Sequence, residues 1–236
     1  YDRQSDGYYI DEEAYLNPER LYNFLEIANK AELLDPKNKK KQQYVEFQKQ
    51  QLQKNTHYIS PIVEAIATNR QLEIVHQPFY KDEAKTHLID PYLVKEYDQR
   101  WYVYAWNEQD GMFKSYALDR MSALSMSSQV FKPKRIHRDE VFKDVVGITV
   151  WPEAAKRVVL KFTAYQARYI RTLPLHHSQA EVTTKGDEVT FSYLLIPNYE
   201  LEQKIMMYGE EVEVLEPKPL RDRIKTRLKK AAGLYE

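Results

Sequence analysis

The sequence predicts an α+β protein in which a small, strongly bent sheet or barrel precedes a second unit of helices and strands. Two observations support this class. Between residues 70 and 130, several short strand patterns follow one another after a single helix pattern. After residue 155, the patterns run in the order βαββαβ, which is the ferredoxin-like order. A chain of 236 residues has room for two such units.

The N-terminal part, residues 1–58, is predicted to contain a hairpin, a helix and a linker. Asp6-Gly7 lies between two polar-aromatic arms, as in a hairpin turn. A helix begins at Pro18, after an N-capping asparagine, and ends near residue 34. The Lys- and Gln-rich stretch 37–57 is interpreted as a solvated linker with one short strand, or alternatively as a nucleic-acid-binding arm. Because the chain starts inside the hairpin, we expect a further segment before it.

Residues 59–135 are predicted to form the first compact unit. A helix pattern begins at Ser60-Pro61. In the strand pattern that follows it, alternate positions are occupied by Leu72, Ile74 and His76. Three or four further short strands follow before residue 135, which favours a small bent sheet or barrel.

A linker over residues 136–155 separates this unit from the second one, residues 156–236. Thr163 and Gln166 form a capping box that opens a helix after the first strand. Asn198 is predicted to cap the second helix. The last strand then completes the βαββαβ order.

The basic tail KPLRDRIKTRLKK is predicted to be a helix. Leu220, Ile224 and Leu228 recur every four residues and therefore share one face. We expect this face to dock on a protein surface. The basic face is either solvated or in contact with DNA in a dimer.

Composition excludes several classes of protein. The chain has 35 basic and 35 acidic residues, so any binding to nucleic acid must depend on a local cluster. It has no cysteine, which excludes disulfides, thiol catalysis and cysteine-bound zinc. No apolar run approaches the ~20 residues of a membrane span. We therefore expect a cytoplasmic protein without a membrane partner.

The sequence shows no motif for catalysis. It has no HExxH, no GxSxG and no glycine-rich phosphate loop. The neighbours His176 and His177 point to opposite sides of an extended segment, so they are poorly placed to chelate one metal ion. No catalytic residue, metal site or cofactor is predicted.

Three segments carry a resemblance to a known family. They are DPYLV at 90–94, RWYVYAW at 100–106 and YALDRM at 116–121. In this order they resemble the WYL-domain family of bacterial transcriptional regulators. Val103 stands at the third place of the Trp-Tyr-Leu triplet that names the family, and Met121 stands where an aliphatic residue is usual.

The resemblance implies a fold and a domain arrangement. The WYL part, 59–135, would be an Sm-like, SH3-type barrel, and 156–236 would be a ferredoxin-like C-terminal extension with a tail helix. A winged helix-turn-helix normally lies upstream, so residues 1–10 would be its wing hairpin and most of that domain would be missing. The implied partners are DNA, through that domain, and a second copy of the chain in a homodimer.

The strand QRWYVYAW has large apolar side chains on both faces. Alternation sends Trp101, Val103 and Ala105 to one face and Tyr102, Tyr104 and Trp106 to the other. The first face is expected in the core. The second face packs against another element or stays partly open to hold a ligand.

Arg100 and Arg120 flank the aromatic segment and are candidates for phosphate binding. A guanidinium is a planar fork of donors, and aromatic rings can stack bases. The alternative for each arginine is an ion pair with Asp119 or another carboxylate. The resemblance also implies a ligand site at the arginine of Leu-Asp-Arg, which is Arg120, and polar contacts from neighbouring strands. The predicted ligand or nucleic-acid site comprises Arg120, Arg100, Tyr102, His87, Lys81 and Tyr80.

The leading hypothesis is a ligand-sensing and dimerising region of a transcriptional regulator. Its effector would be single-stranded nucleic acid or a nucleotide, bound at the barrel. The alternative is an interaction and dimerisation module without a small ligand, in which the aromatic strand lies in a protein interface. A nucleotide-processing enzyme is disfavoured because no nucleophile, metal cluster or acid–base pair is visible.

Overall fold

The computed structural model describes Tyr44 and residues 54–236, with the exception of Asp187. The hairpin, the helix and the short strand predicted before residue 54 lie outside the described residues. From residue 54 onward, the described residues belong to one compact unit that contains two antiparallel sheets. The expected mixed α+β class is confirmed at this level.

The first sheet has five strands and follows helix α1 (Ile59–Ala67). The strands are β1 (Arg70–His76), β2 (Lys85–Tyr97), β3 (Arg100–Asn107), β4 (Met112–Ala117) and β5 (Met121–Val130). Their order in the sheet is β4-β3-β2-β1-β5, and every pair is antiparallel.

A closed barrel, which the resemblance implies, is not found among the described strands. No backbone pairing joins β4 to β5. A short helical turn, Leu118–Arg120, separates these strands, and β5 then pairs with β1. The sheet therefore remains open between its first and last strands in the described part of the chain.

Both faces of β3 are covered, but by different parts of the chain. Val103 and Ala105 are fully buried in the main core of this sheet, together with Ile62 of α1. Tyr104 and Trp106 point to the opposite face and belong to a second cluster. The alternation predicted for this strand is confirmed, and the second face packs against the protein itself.

The linker between β5 and β6, residues 131–155, forms the cover of that second face. The apolar side chains that it contributes are Phe131, Ile136, Val141, Phe142 and Val150. They pack against Tyr92, Tyr104 and Phe113, and the rings of Tyr104 and Phe113 are stacked with centroids 5.0 Å apart. Of the five, Phe131 is buried and the other four are partly buried. Since full burial of a large apolar side chain contributes about 1.5–3 kcal/mol and partial burial contributes less, the linker adds to the core of this sheet.

The second sheet has four strands and three helices pack on or beside it. The elements are β6 (Lys156–Thr163), α2 (Ala164–Thr172), β7 (Ala180–Lys185), β8 (Glu188–Leu195), α3 (Tyr199–Met207), β9 (Val212–Glu216) and α4 (Lys218–Ala232). The strand order is β7-β8-β6-β9, all antiparallel.

Both N-caps predicted in this unit are formed. Thr163 Oγ1 accepts from Gln166 N at 3.3 Å, and Asn198 Oδ1 accepts from Leu201 N at 2.9 Å. These bonds satisfy amide groups that the first turn of a helix otherwise leaves without partners. The sequence signals at the start of α2 and α3 therefore correspond to real hydrogen bonds.

The tail helix α4 docks as expected over its first half. Leu220 and Ile224 are buried in the core of the second sheet, whereas Leu228 is 41% exposed. On the neighbouring face, the guanidinium groups of Arg223 and Arg227 donate to Glu202 of α3 at 2.6 and 2.9 Å. Part of the basic face is therefore used for packing against α3.

The linker is bonded to both sheets between residues 146 and 149. Asn198, which caps α3, donates from Nδ2 to two linker carbonyls at 2.8 and 2.9 Å. Glu200 Oε1 accepts from Thr149 Oγ1 at 2.8 Å. From β2, Lys95 Nζ donates to the carbonyl of Gly147 at 2.8 Å. These contacts fasten the two sheets to one connecting segment.

Candidate anion-binding site

A basic cleft opens at one end of the main core of the first sheet. There, the side chains on the core-facing side of the strands change from apolar to basic. The apolar row of β1 ends in His76, and that of β2 ends in His87 and Lys85. On β4, the same face carries Tyr116 and then Lys114. His76 pairs directly with Lys85 in the sheet register. The polar ends of three strands therefore meet at one place.

The cleft encloses ≈ 180 Å³. Its lining residues are His76, Pro78, Tyr80, Lys81, Lys85, His87, Lys114, Ser115, Tyr116 and Arg120. Four of these carry a permanent positive charge and none carries a carboxylate. One of the four, Lys114, is paired with Asp110 at 2.7 Å. The arrangement favours a negatively charged ligand, because like charges in a partly desolvated cleft are stabilised by an anion.

The loop between β1 and β2 is tied to the short helical turn that carries Arg120. Gln77 N donates to the carbonyl of Arg120 at 3.0 Å. The side-chain amide of Gln77 donates to the carbonyls of Lys81 and Asp82 at 3.1 and 2.9 Å. These bonds set the position of Tyr80, which lies at the rim with its side chain 82% exposed.

Two histidines line the cleft and are held neutral near pH 7. Burial, with the positive charge of Arg120, lowers the pKa of His76 to about 4. Burial also lowers the pKa of His87. Nε2 of His76 is buried and has no hydrogen-bond partner among the described residues. An anion bound there would favour the protonated form of His76 and accept its proton in a hydrogen bond.

A buried amide holds the second histidine in place. Asn107, at the end of β3, is fully buried. Its Nδ2 lies 3.2 Å from Nδ1 of His87 and donates to Tyr116 Oη at 2.7 Å. With the amide as donor, Nδ1 of His87 is an acceptor and the proton of the neutral ring is on Nε2. The imidazole is thus oriented before any ligand binds.

Arg100 and Arg120 share one carboxylate and one exposed ring. Their Nε atoms lie 3.8 and 3.7 Å from the carboxylate oxygens of Asp119, too far for a good hydrogen bond. Both guanidinium groups lie over Phe79, at 5.9 and 4.9 Å from its ring centre. Phe79 itself is 73% exposed. The ion pairs considered from the sequence are therefore present, but they leave the guanidinium donors largely free for another acceptor.

A shallower cleft of ≈ 470 Å³ lies on the other side of the same loop. It includes Phe79 and Asp119 and shares Lys81 and Arg120 with the basic cleft. The two concave surfaces therefore have two cations in common, and an exposed aromatic ring lines the second of them.

The structure brings four of the six predicted site residues together. Arg120, His87, Lys81 and Tyr80 line the basic cleft. Arg100 does not line it but contacts Asp119 and Phe79 beside it.

Tyr102 is not brought into the cleft. Its side chain is buried, and burial raises its pKa, while the charges of Arg120 and Arg100 act in the opposite direction. The phenol is therefore close enough to interact electrostatically with both arginines, but it exposes little surface to a ligand. A direct contact from Tyr102 remains a prediction from the sequence.

The predicted set of six residues leaves out several residues of the site. They are His76, Phe79, Lys85, Lys114 and Tyr116. One signal for His76 was present, since it continues the buried row of Leu72 and Ile74 where an apolar residue is expected. The other residues join the site through strand register and loop shape, which single-residue patterns do not report.

Two other features, a metal site and a membrane-spanning helix, are absent from the described part of the chain. No group of three or more His, Asp or Glu side chains is arranged to hold a metal ion among these residues. In the same residues, no helix combines the length and apolar character that a bilayer crossing requires.

Two family models match the chain. Residues 57–126 match the WYL domain, and residues 154–232 match the WCX domain. Together these matches cover more than half of the 236 residues. No curated protein matches the sequence significantly.

Two solved structures are similar to parts of this chain. One is the proteasome accessory factor B/C (PafBC) of Arthrobacter aurescens, with 18% identity over 81% of this chain and a TM-score of 0.34. The other is described as a CRISPR Cas-related protein, with 14% identity over 75% of this chain and a TM-score of 0.45. The similar regions span 29% and 51% of those two chains. On the strength of the two family matches, the chain belongs to the WYL-domain family and carries a WYL domain followed by a WCX domain.

Proposed function

We propose that this chain is the effector-sensing region of a transcriptional regulator and that its effector binds in the basic cleft. The regulatory role is supported by the pairing of a WYL domain with a WCX domain. The location of the effector site is supported by the meeting of three strand ends at a cleft inside the WYL match.

The effector is a phosphate-bearing ligand, either a nucleotide or single-stranded nucleic acid. The observation that carries this proposal is the lining of the cleft, with four permanent cations, two histidines and no carboxylate. At ≈ 180 Å³ the cleft is smaller than the ~300 Å³ of typical small-molecule pockets, so it suits a phosphate group better than a whole nucleotide. The exposed rings of Phe79 and Tyr80 at its rim can stack an attached base.

Two features favour an oligonucleotide over a mononucleotide. The second cleft, which Phe79 lines, shares Lys81 and Arg120 with the first. A strand that passes over the Phe79 ring would place successive phosphates in the two clefts. Arg100, beside the same ring, extends the positive surface in that direction.

We also propose a finer description of the fold of each sheet. The order β4-β3-β2-β1-β5 after one helix supports an Sm-like sheet that is open between β4 and β5. The order β7-β8-β6-β9 with two interleaved helices supports a ferredoxin-like extension. We keep the boundaries 59–135, 136–155 and 156–236 for the WYL unit, the linker and the extension.

A homodimer that binds DNA through an upstream winged helix-turn-helix completes the proposed role. An effector changes the output of such a dimer only if it binds one arrangement of the two copies more tightly than another. If the chain were a pure interaction module, as in the alternative hypothesis, the rings of β3 would lie in a protein interface. Tyr104 and Trp106 instead pack against the linker of their own chain, which disfavours that use of the strand.

The test is fluorescence-anisotropy binding of short labelled single-stranded DNA and RNA, with unlabelled mononucleotides as competitors. We expect Arg120→Ala to weaken binding roughly 10- to 100-fold, as for the loss of a hydrogen bond to a charged group. The matched control is Arg157→Ala, which removes an exposed arginine of the second sheet that pairs with Glu216. Full affinity in the Arg120 variant would refute the cleft as the site. If the control weakened binding to the same extent, the loss of affinity would reflect the overall charge of the protein and not a contact in the cleft.

A further inference from the structure

A second positive surface lies on the linker, directly after β5. The sequence of residues 132–138 is KPKRIHR. Its four permanent cations are Lys132, Lys134, Arg135 and Arg138, and His137 adds a titratable one. This linker patch has no lining residue in common with the basic cleft.

The backbone of the linker patch is held in place at both ends and in the middle. Phe131 N donates to the carbonyl of Asn69 at 2.9 Å. Lys134 N donates to Tyr92 Oη at 2.7 Å. Beyond these bonds, the partly buried side chains of Ile136 and Phe142 pack on the cluster that contains Tyr92 and Tyr104. Because the backbone that carries these cations is already ordered, binding would cost little of the conformational entropy that a flexible basic tail loses when it becomes ordered.

Three of the four permanent charges of the linker patch have no ion pair within the described part of the chain. Lys132, Arg135 and Arg138 are exposed and have no ion pair with any carboxylate described. The nearest described acid in sequence, Glu140, is paired with Lys143 at 3.3 Å. Lys134 lies with Nζ 3.9 Å from the centre of the Trp106 ring. The outward face of the segment is thus strongly positive and without an internal partner.

Part of the linker patch is concave. The residues that line its groove of ≈ 500 Å³ are Tyr92, Pro133, Lys134, Ile136, His137, Arg138 and Glu140. Lys132 and Arg135 of the patch are exposed but are not among these lining residues. A flat bilayer surface would not enter such a groove. Surface-bound amphipathic segments also insert a stripe of apolar side chains, whereas this segment has only Ile136, which is partly buried against Tyr92, Tyr104 and Phe131. A nucleic-acid backbone fits this groove better than a bilayer does. Grooves that bind single strands combine cations along the path of the phosphates with aromatic side chains.

We propose that residues 132–138 form a second nucleic-acid contact, separate from the basic cleft, that binds the sugar-phosphate backbone of a DNA or RNA strand without reading its sequence. Lys132, Arg135 and Arg138 supply the phosphate contacts. His137 and the Lys134–Trp106 pair border the groove. This contact does not depend on the nature of the effector in the cleft.

The experiment removes three cations from the linker patch and compares this with the removal of three elsewhere. The test variant is Lys132→Ala/Arg135→Ala/Arg138→Ala. The control is Lys225→Ala/Lys229→Ala/Lys230→Ala, which removes the same charge from exposed positions of α4. Both are made in the full chain carrying Arg120→Ala, so that binding in the cleft is already weakened. Anisotropy with labelled single-stranded and duplex DNA is recorded between about 50 and 200 mM salt.

We expect the test variant to lose at least tenfold in affinity at the lower salt. The slope of log affinity against log salt should fall by about two, since each phosphate contact to a single strand contributes about 0.7. Equal losses in the two triple variants, or no loss in the test variant, would overturn the proposal. Binding to anionic vesicles that depends on these residues, without binding to DNA, would overturn it in favour of a membrane surface. Binding in the cleft is measured separately, by competition with mononucleotides in the chain that keeps both Arg120 and the linker patch.

Discussion

Gly147 of the linker and Glu200 of α3 are in such close contact that a β-carbon on residue 147 would lie 2.6 Å from Glu200 Cγ. The backbone of Gly147 is also in the left-handed region, with φ of +86°. Its carbonyl accepts a hydrogen bond from Lys95 of β2, so one residue contacts elements of both sheets. Only glycine satisfies the conformation and the space at this point.

We therefore expect Gly147→Ala to destabilise the protein by about 2–4 kcal/mol, since overpacking and left-handed strain add. Gly111→Ala is the matched control, because Gly111 has a similar φ of +62° but no atom within 4 Å of the place that a β-carbon would occupy. The control should lose only about 1–2 kcal/mol. Urea denaturation of both variants measures the difference. Equal losses would show that the contact with Glu200 has no energetic importance.

Asn198 should be more important than an ordinary helix cap. It caps α3 and also donates to two linker carbonyls from a side chain that is almost fully buried. Asn198→Ala leaves those carbonyls without a partner, and we expect a loss of about 2–4 kcal/mol in the free energy of unfolding. The control is Thr163→Ala at the cap of α2, with an expected loss of about 1 kcal/mol. A similar loss at both positions would contradict a role for Asn198 in holding the linker.

Phe79 is expected to contribute to ligand binding and little to stability. Its ring is exposed and lies under two guanidinium groups. Removing a base-stacking ring costs about 1–3 kcal/mol of affinity per base, so Phe79→Ala should weaken binding of single-stranded DNA roughly 5- to 150-fold. Its melting temperature should stay close to that of the unmodified chain. Phe79→Trp should keep the affinity, and a loss in both variants would point to a disturbed loop and not to stacking.

His76 should make stability depend on pH in the mildly acidic range. Its pKa is about 4 in the folded protein and about 6.5 when unfolded, so between these values the unfolded chain binds more protons. The free energy of unfolding therefore falls as pH decreases from about 6.5 towards 4, and His76 makes no contribution above that window. Between pH 7 and 5.5 we expect a loss of roughly 1 kcal/mol from this residue after allowance for solvent screening.

Urea denaturation at the two pH values checks this, with His76→Gln as the comparison. The variant should show a smaller dependence on pH than the unmodified chain. If both depend on pH to the same degree, the titrating group lies elsewhere.

The elements that the sequence predicted well are those with local signals. Helix α1, the buried row of β1 and the caps Thr163 and Asn198 each depend on residues within a few positions of one another. The aromatic alternation of β3 is local in the same sense. What the resemblance added was the position of Arg120, which lies in the cleft.

The features that the sequence did not predict depend on distant residues. The pairing of His76 with Lys85, and the position of Phe79 under two arginines, arise from strand register and loop closure. The linker was predicted only as a connection because its buried residues, among them Ile136 and Phe142, follow no helical or strand period. Irregular segments can be core segments, and periodicity does not detect them.

This cover over the second face of β3 has a consequence for dividing the chain into fragments. A fragment that stops at residue 126, where the WYL match ends, would lack every linker side chain that packs on Tyr92, Tyr104 and Phe113. It would present a contiguous aromatic surface to water, which favours self-association. The segment that matches the WYL family model is therefore shorter than the segment that covers this face. A fragment that keeps the face covered must extend to about residue 150, through the last linker side chain that packs on it.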